Sequence, residues 1–325
     1  MPTDYTRELA TAIAAVREAA TLCREVQHTI TPDVLSKKDK SPVTVADFGS
    51  QALICHTLAD AFPDDPIIAE EDASALRDAA NDKLLRKVVN HIHGLRHAVS
   101  ASDICAWIDR GGVSEYHERF WTLDPIDGTK GFLRGEQYAV ALALIVQGKP
   151  VVAALACPNL DGGAIFTAVK GHGASVRGLT GEESGPIHVS KTSDPRNARF
   201  CESVESAHSS HDESANIAKA LGITAQPVRM DSQCKYAVVA RGRADIYMRL
   251  PTRADYVERI WDHAAGALLV TEAGGRVTDI AGQPLDFRQG RGLDENRGIL
   301  ATNGKLHDPL LAALRSTGSV PALGD

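Results

Sequence analysis

Trp121-Thr122-Leu123-Asp124-Pro125-Ile126-Asp127-Gly128-Thr129 sets two carboxylates, a rigid imide and a hydroxyl close together in the chain. Phe120, Trp121 and Leu123 read as the end of a buried strand. Pro125 fixes its own φ and carries no N–H, which predicts that the chain leaves the sheet there at a defined angle. Asp124 and Asp127 flank that turn and can converge on one point, with the Ile126 carbonyl between them as a third oxygen. Hard oxygens clustered in this way suit Mg²⁺, which prefers carboxylates together with substrate phosphate. Gly128 and Thr129 follow where a helix would begin, and free N–H groups at a helix start favour an anion. Taken alone, the run also fits an ordinary turn rich in turn-forming residues.

Two distant segments weigh against that plainer reading. Ile67-Ile68-Ala69-Glu70-Glu71-Asp72 is a short apolar run ending abruptly in acids, as when a strand delivers carboxylates to a sheet's edge. By itself it fits a solvated acidic turn better. Ile260-Trp261-Asp262-His263-Ala264-Ala265-Gly266-Ala267 opens an Ala-rich helix, with Gly274 or Gly275 as its stop. Asp262 could serve there simply as an N-cap, and His263 reads as a packing or surface histidine.

Composition suits a globular enzyme. The 325 residues, 43% hydrophobic and 24% charged, can bury a large core and are enough for two closely packed domains. A net charge of −7 argues against a polyanion-binding surface, so no nucleic-acid partner is expected. It leaves room for a small phosphorylated substrate, whose site can be set by metal ions and a few cations. Cysteines 23, 55, 105, 157, 201 and 234 are scattered without a Cys-x-x-Cys pair and read as reduced, buried thiols. No apolar run approaches the roughly 20 residues of a membrane helix, and no leader pattern opens the sequence. A cytoplasmic protein with no membrane partner is the expectation.

The periodicity outlines the order of elements. Tyr5, Leu9, Ile13, Val16, Ala20 and Cys23 mark one amphipathic helix. A second runs from Thr44 to Phe62, with Phe48, Gln51, Ala52, Cys55 and Leu58 along one side and Thr44 and Asp47 at capping-box spacing. Residues 73–103 are polar and helix-prone, and 101–118 reads as a loop with a flexible Gly111-Gly112 turn. Apolar runs at Tyr138–Val146, Val151–Cys157 and Ala164–Val169 form an antiparallel meander. Beyond a Gly/Ser-rich stretch, short strands alternate with helices to the end of the chain, which implies a sheet sandwiched by helices. The fold class is therefore α/β (α+β), with domains expected at 1–185 and 186–325.

Asp-Pro-Ile-Asp-Gly-Thr at 124–129 and Trp-Asp-x-x-Ala-Gly at 261–266 are jointly similar to the paired signatures of the lithium-sensitive, Mg²⁺-dependent phosphatases that include inositol monophosphatase. The chain resembles most closely the 3'(2'),5'-bisphosphate nucleotidase branch, through Ser41–Asp47, Lys130–Gly135, Glu202–Glu205, His208–His211 and Asp231–Tyr236. The resemblance implies a layered α-β-α-β-α sandwich of the inositol monophosphatase and fructose-1,6-bisphosphatase type. It implies two to three Mg²⁺ ions, one held by Glu70, Asp124, the Ile126 carbonyl and Asp127, another by Asp124, Asp127 and Asp262. It places Asp47 with Thr129 as the pair that polarises the attacking water. Lys235, Arg249, Ser232 and His208, with His211 as an alternative to the last, correspond to positions that hold the nucleotide; Thr129 and Asp262 would touch it as well. The implied reaction is hydrolysis of the 3' (or 2') phosphate of adenosine 3',5'-bisphosphate (PAP), extending to PAPS, by a monomeric enzyme acting on small molecules. An inositol phosphate phosphatase is the nearest alternative, and a non-catalytic PAP sensor is the alternative from another class.

Overall fold

The structure, a computed structural model, describes residues 4–30, 41–96, 99–181, 183–204, 211–251, 253 and 255–318. In chain order it contains α1 (Thr6–His28), α2 (Ser41–Ala61), β1 (Ile67–Ala69), α3 (Ser74–Arg77), α4 (Asp82–His93), α5 (Ala101–Asp109), β2 (Arg119–Asp127) and α6 (Thr129–Leu133). The strands β3 (Ala139–Val146), β4 (Lys149–Cys157), β5 (Ala164–Val169), β6 (Gly173–Gly178), β7 (Ser184–Ile187) and β8 (Phe200–Glu202) follow. Then come α7 (His211–Ala220), β9 (Val228–Arg229), α8 (Cys234–Ala240), β10 (Ile246–Arg249), α9 (Ala264–Glu272), β11 (Arg276–Thr278), β12 (Ile299–Thr302) and α10 (His307–Ser316).

The strands form two sheets. Seven strands run in the order β1 to β7, with β1 parallel to β2 and every later pair antiparallel. Five more take the order β11-β12-β10-β8-β9 and mix parallel with antiparallel pairing. Three apolar clusters join five layers, α1 and α2, the first sheet, α8 and α9, the second sheet, then α7 and α10, the middle cluster packing both faces of the α8 and α9 layer. This is the expected α-β-α-β-α sandwich.

β3 shows how the sequence builds the layers. Val140, Leu142 and Leu144 pack toward α1 and α2, while Ala139, Ala141, Ala143 and Ile145 pack toward α9. Period-two alternation sends successive side chains to opposite faces, and both faces are covered, so the run is apolar throughout. The small residues on the second face let α9 approach closely.

Several local expectations change. β2 does not leave the sheet at Pro125. Its pairing passes from Asp124↔Ala141 to Asp127↔Ala139, so a bulge absorbs the extra residue. A bulge is one of the few places where a strand tolerates a residue without an N–H. Thr44 does not cap α2, which begins three residues earlier, at Ser41. The 101–118 stretch opens with α5, started by a capping box between Ser100 and Asp103. α2 is buried nearly all round, because α1, α4, α5 and β2 surround it. All six cysteines are buried and free of disulfides. No helix among the described residues is long and apolar enough to cross a membrane.

Candidate active site

Register brings the first two acids together. Ile67 pairs with Trp121 and Ala69 with Leu123 in parallel alignment, so Glu70 follows β1 where Asp124 follows the same point of β2. One turn of α2 then fastens both strand ends. Ser50 Oγ donates to the Pro125 carbonyl at 2.9 Å. Gln51 Nε2 donates to the Glu71 carbonyl at 2.6 Å, and its Oε1 accepts from the Glu71 N–H at 3.1 Å. Asp47, one turn earlier on α2, is buried close enough to feel the charges of Glu70 and Glu71.

The second half of the site is pinned by Gln233. Its backbone N–H donates to Asp127 Oδ2, its Nε2 to the Trp261 carbonyl at 2.9 Å, and its Oε1 accepts from the Gly266 N–H at 3.2 Å. Asp262 therefore sits in a short 3₁₀ turn (Ile260–Asp262) locked beside Asp127, and not at the N-cap of α9. The N-cap is His263, which makes no side-chain capping bond.

Glu70, Asp124, Ile126, Asp127, Thr129, Ser232, Lys235, Arg249 and Asp262 all line one cleft of about 800 Å³. Asp47 stands behind Glu70, outside that lining. His208 lies outside the described residues, and His211 begins α7. Lys235 is 6% exposed, and its Nζ donates to the Ser232 carbonyl at 2.8 Å. Burial holds the Lys235 ammonium below the usual lysine range.

Acid crowding dominates the electrostatics. Burial, then the charges of Asp262 and Glu71, push Glu70 up to about 8. Burial and Asp262 push Asp127 up to about 6, against the pull of Lys235. Asp124, raised well above the usual carboxylate range by burial and then Glu70, has a buried Oδ1 with no hydrogen-bond partner. An orphaned carboxylate oxygen among like charges is a donor set suited to a hard divalent cation. The residues fit such an ion.

Among the described residues, the three ligand atoms lying within 4.8 Å of one another belong to Glu258, Asp262 and His263. No trio from Glu70, Asp124, Asp127 and Asp262 is that tight; those acids share a cleft rather than a point. The tight trio is largely spent on hydrogen bonds. Arg249 Nε donates to Glu258 Oε1 at 2.9 Å, His263 Nε2 faces Glu258 Oε2 at 3.0 Å, and His263 Nδ1 faces the Tyr236 hydroxyl at 2.8 Å. Burial raises the Glu258 carboxyl, yet His263 and Arg249 together hold it below the usual range. Sequence reasoning missed Glu258 and Gln233. Only their spacing from Asp262 and Ser232 signalled them, and each acts through folded neighbours.

The chain matches the family model described as the inositol monophosphatase family over residues 4–319. It is 44% identical to a 3'(2'),5'-bisphosphate nucleotidase of Schizosaccharomyces pombe, covering 97% of each chain. A protein of the same description from Oryza sativa is 45% identical, with 96% of this chain and 94% of that one covered. An inositol monophosphatase structure from Anabaena superposes with a TM-score of 0.64 at 25% identity over 99% of both chains. Mycobacterium tuberculosis SuhB shares the fold with a TM-score of 0.66, covering 98% of this chain and 99% of that one at 22% identity. The chain belongs to the inositol monophosphatase family of metal-dependent phosphatases, in its 3'(2'),5'-bisphosphate nucleotidase branch.

Proposed function

We propose that this protein hydrolyses the 3' (or 2') phosphate of adenosine 3',5'-bisphosphate to AMP and phosphate, and accepts PAPS at the same site. The carrying observation is one cleft that gathers Glu70, Asp124, Asp127 and Asp262 together with the largely buried cations Lys235 and Arg249. Glu70, Asp124, the Ile126 carbonyl and Asp127 would hold one Mg²⁺, and Asp124, Asp127 and Asp262 a second, with two to three ions in all. Bound there, Mg²⁺ neutralises phosphate charge, activates water and stabilises the leaving oxygen. Residues 1–185 carry most of these ligands in this reading, and 186–325 complete them.

The chain's own groups divide the remaining work. Thr129 Oγ1 accepts the attacking water's proton as it passes its own to Asp47, since a hydroxyl alone is too weak a base. Burial, with Glu71 and Glu70 nearby, raises the Asp47 carboxyl well above its usual range. Arg249 grips a phosphate with a planar guanidinium, while Lys235 acts as a point charge from beneath; Ser232 and His208 complete the nucleotide contacts. The protein acts as a lithium-sensitive, cytoplasmic monomer on this reading.

Steady-state phosphate release with PAP and with inositol 1-phosphate, each with Mg²⁺ and with EDTA, tests it. A large preference for PAP that EDTA abolishes is expected. Preference for the inositol ester would transfer the protein to the inositol phosphatases, and binding of PAP without turnover would make it a sensor.

A further inference from the structure

We infer that Tyr256 is the platform on which the substrate's nucleobase rests, and hence a specificity-determining residue; this rests on the nucleotide reading of the cleft. Among the described residues, the large apolar side chains left exposed are Val204 at 39% and Tyr256 at 37%. Tyr256 lines the acidic cleft, and Val204 directly follows Ser203, which lines it too. Most other named site side chains around that cleft are acids, cations and hydroxyls, which suit phosphate and sugar, and the second ring in the lining, Tyr247, is buried against Tyr236 and Lys235.

An isolated surface aromatic needs no explanation. Tyr256 differs because it is held. Arg249 Nη2 donates to its hydroxyl at 2.9 Å, and the Arg249 guanidinium carbon lies 5.6 Å from its ring centroid. Arg249 is itself anchored through Nε by Glu258, Glu258 by His263 Nε2, and His263 through Nδ1 by the Tyr236 hydroxyl, the last three all buried. A ring fixed in advance loses little freedom when a ligand covers it.

Position completes the argument. The same Arg249 Nη2 stands 3.9 Å from Asp262 Oδ2. One guanidinium therefore separates the ring from the acids, much as a ribose separates a 3' ester from its base. Base stacking on an aromatic ring is tolerant of base identity, and an inositol ring, lacking a π-face, gains nothing from it. Tyr256 thus distinguishes nucleoside phosphates as a class from polyol phosphates.

Steady-state kinetics of Tyr256→Ala and Tyr256→Phe would be measured on adenosine 3',5'-bisphosphate and on the abasic tetrahydrofuran analogue of the same bisphosphate. Tyr256→Ala should raise KM for the nucleotide by about tenfold or more with kcat retained, and leave the abasic compound unaffected. Tyr256→Phe should keep KM for the nucleotide within about threefold of wild type, since the ring survives. An equal rise in KM for both compounds would reduce Tyr256 to a support for Arg249, and no rise would reject the platform outright. If the wild type hydrolysed neither bisphosphate, the nucleotide reading itself would fall and this assignment with it.

Discussion

The backbone N–H of Gln233 donates to Asp127 Oδ2 at 2.6 Å, fastening the end of β2 to the helix that begins beside it. Ser232, at φ +67°, aims that N–H by taking a left-handed conformation that few non-glycine residues adopt. Because the Gln233 side chain also binds the Trp261 carbonyl and the Gly266 N–H, one buried residue sets the spacing between Asp127 and Asp262.

Gln233→Ala deletes both side-chain bonds and keeps the backbone one. Groups that orient metal ligands typically contribute 10–100-fold in metal affinity, so the Mg²⁺ needed for half-maximal turnover should rise by about that factor. A Mg²⁺ titration of phosphate release reads this directly. An unchanged requirement would show that Asp262 is held without Gln233.

Asp47→Asn and Thr129→Ala should each lower kcat by ~10²-fold or more, the usual contribution of a positioned general base. The metal requirement should stay near wild type, since neither residue is assigned to hold an ion. Near-normal kcat in both variants would dismiss the pair.

Gly266→Ala should destabilise the fold. A Cβ at Gly266 would stand 2.2 Å from the Tyr236 ring, which is buried and tied to His263. Overpacking of this kind costs roughly 1–3 kcal/mol. Urea unfolding followed by circular dichroism would detect it, and a wild-type midpoint would mean that the ring yields freely.

His307 gives the fold a pH dependence away from the acids. Its ring is buried between the Thr278 and Thr302 hydroxyls, and burial, with Arg276 nearby, pushes it down to about 4. Between the unfolded value near 6.5 and about 4, the unfolded chain binds a proton that the native state refuses. This contribution is fully present above about pH 6.5 and is lost as pH falls toward 4, by on the order of 3 kcal/mol. His307→Gln should flatten that part of the stability profile in urea titrations run from pH 4 to pH 7. Parallel profiles for both proteins would place the dependence elsewhere.

Much of this was legible in the residues. The apolar runs of β3, β4 and β5 announced a meander, and the acid-bearing ends of β1 and β2 announced a site, because period and composition are local properties. Other features were hidden for the same reason. The bulge at Pro125 depends on which strand lies opposite. Burial of α2 on all sides depends on four neighbours, and a capping box closed by Asp103 is easily passed over in a polar stretch.

The sequence alone determined which chemistry could be present: the carboxylates, the threonine, the two basic residues and the periodicity that lays them on strand ends and helices. Only the tertiary structure decided what those groups experience. Parallel register set Glu70 beside Asp124, Gln233 bridged Asp127 to Asp262, and the Glu258–His263–Tyr236 chain turned Arg249 toward the cleft. Side-chain identity is written residue by residue, whereas field, burial and hydrogen-bond partner are set by segments far apart in the chain that meet only on folding.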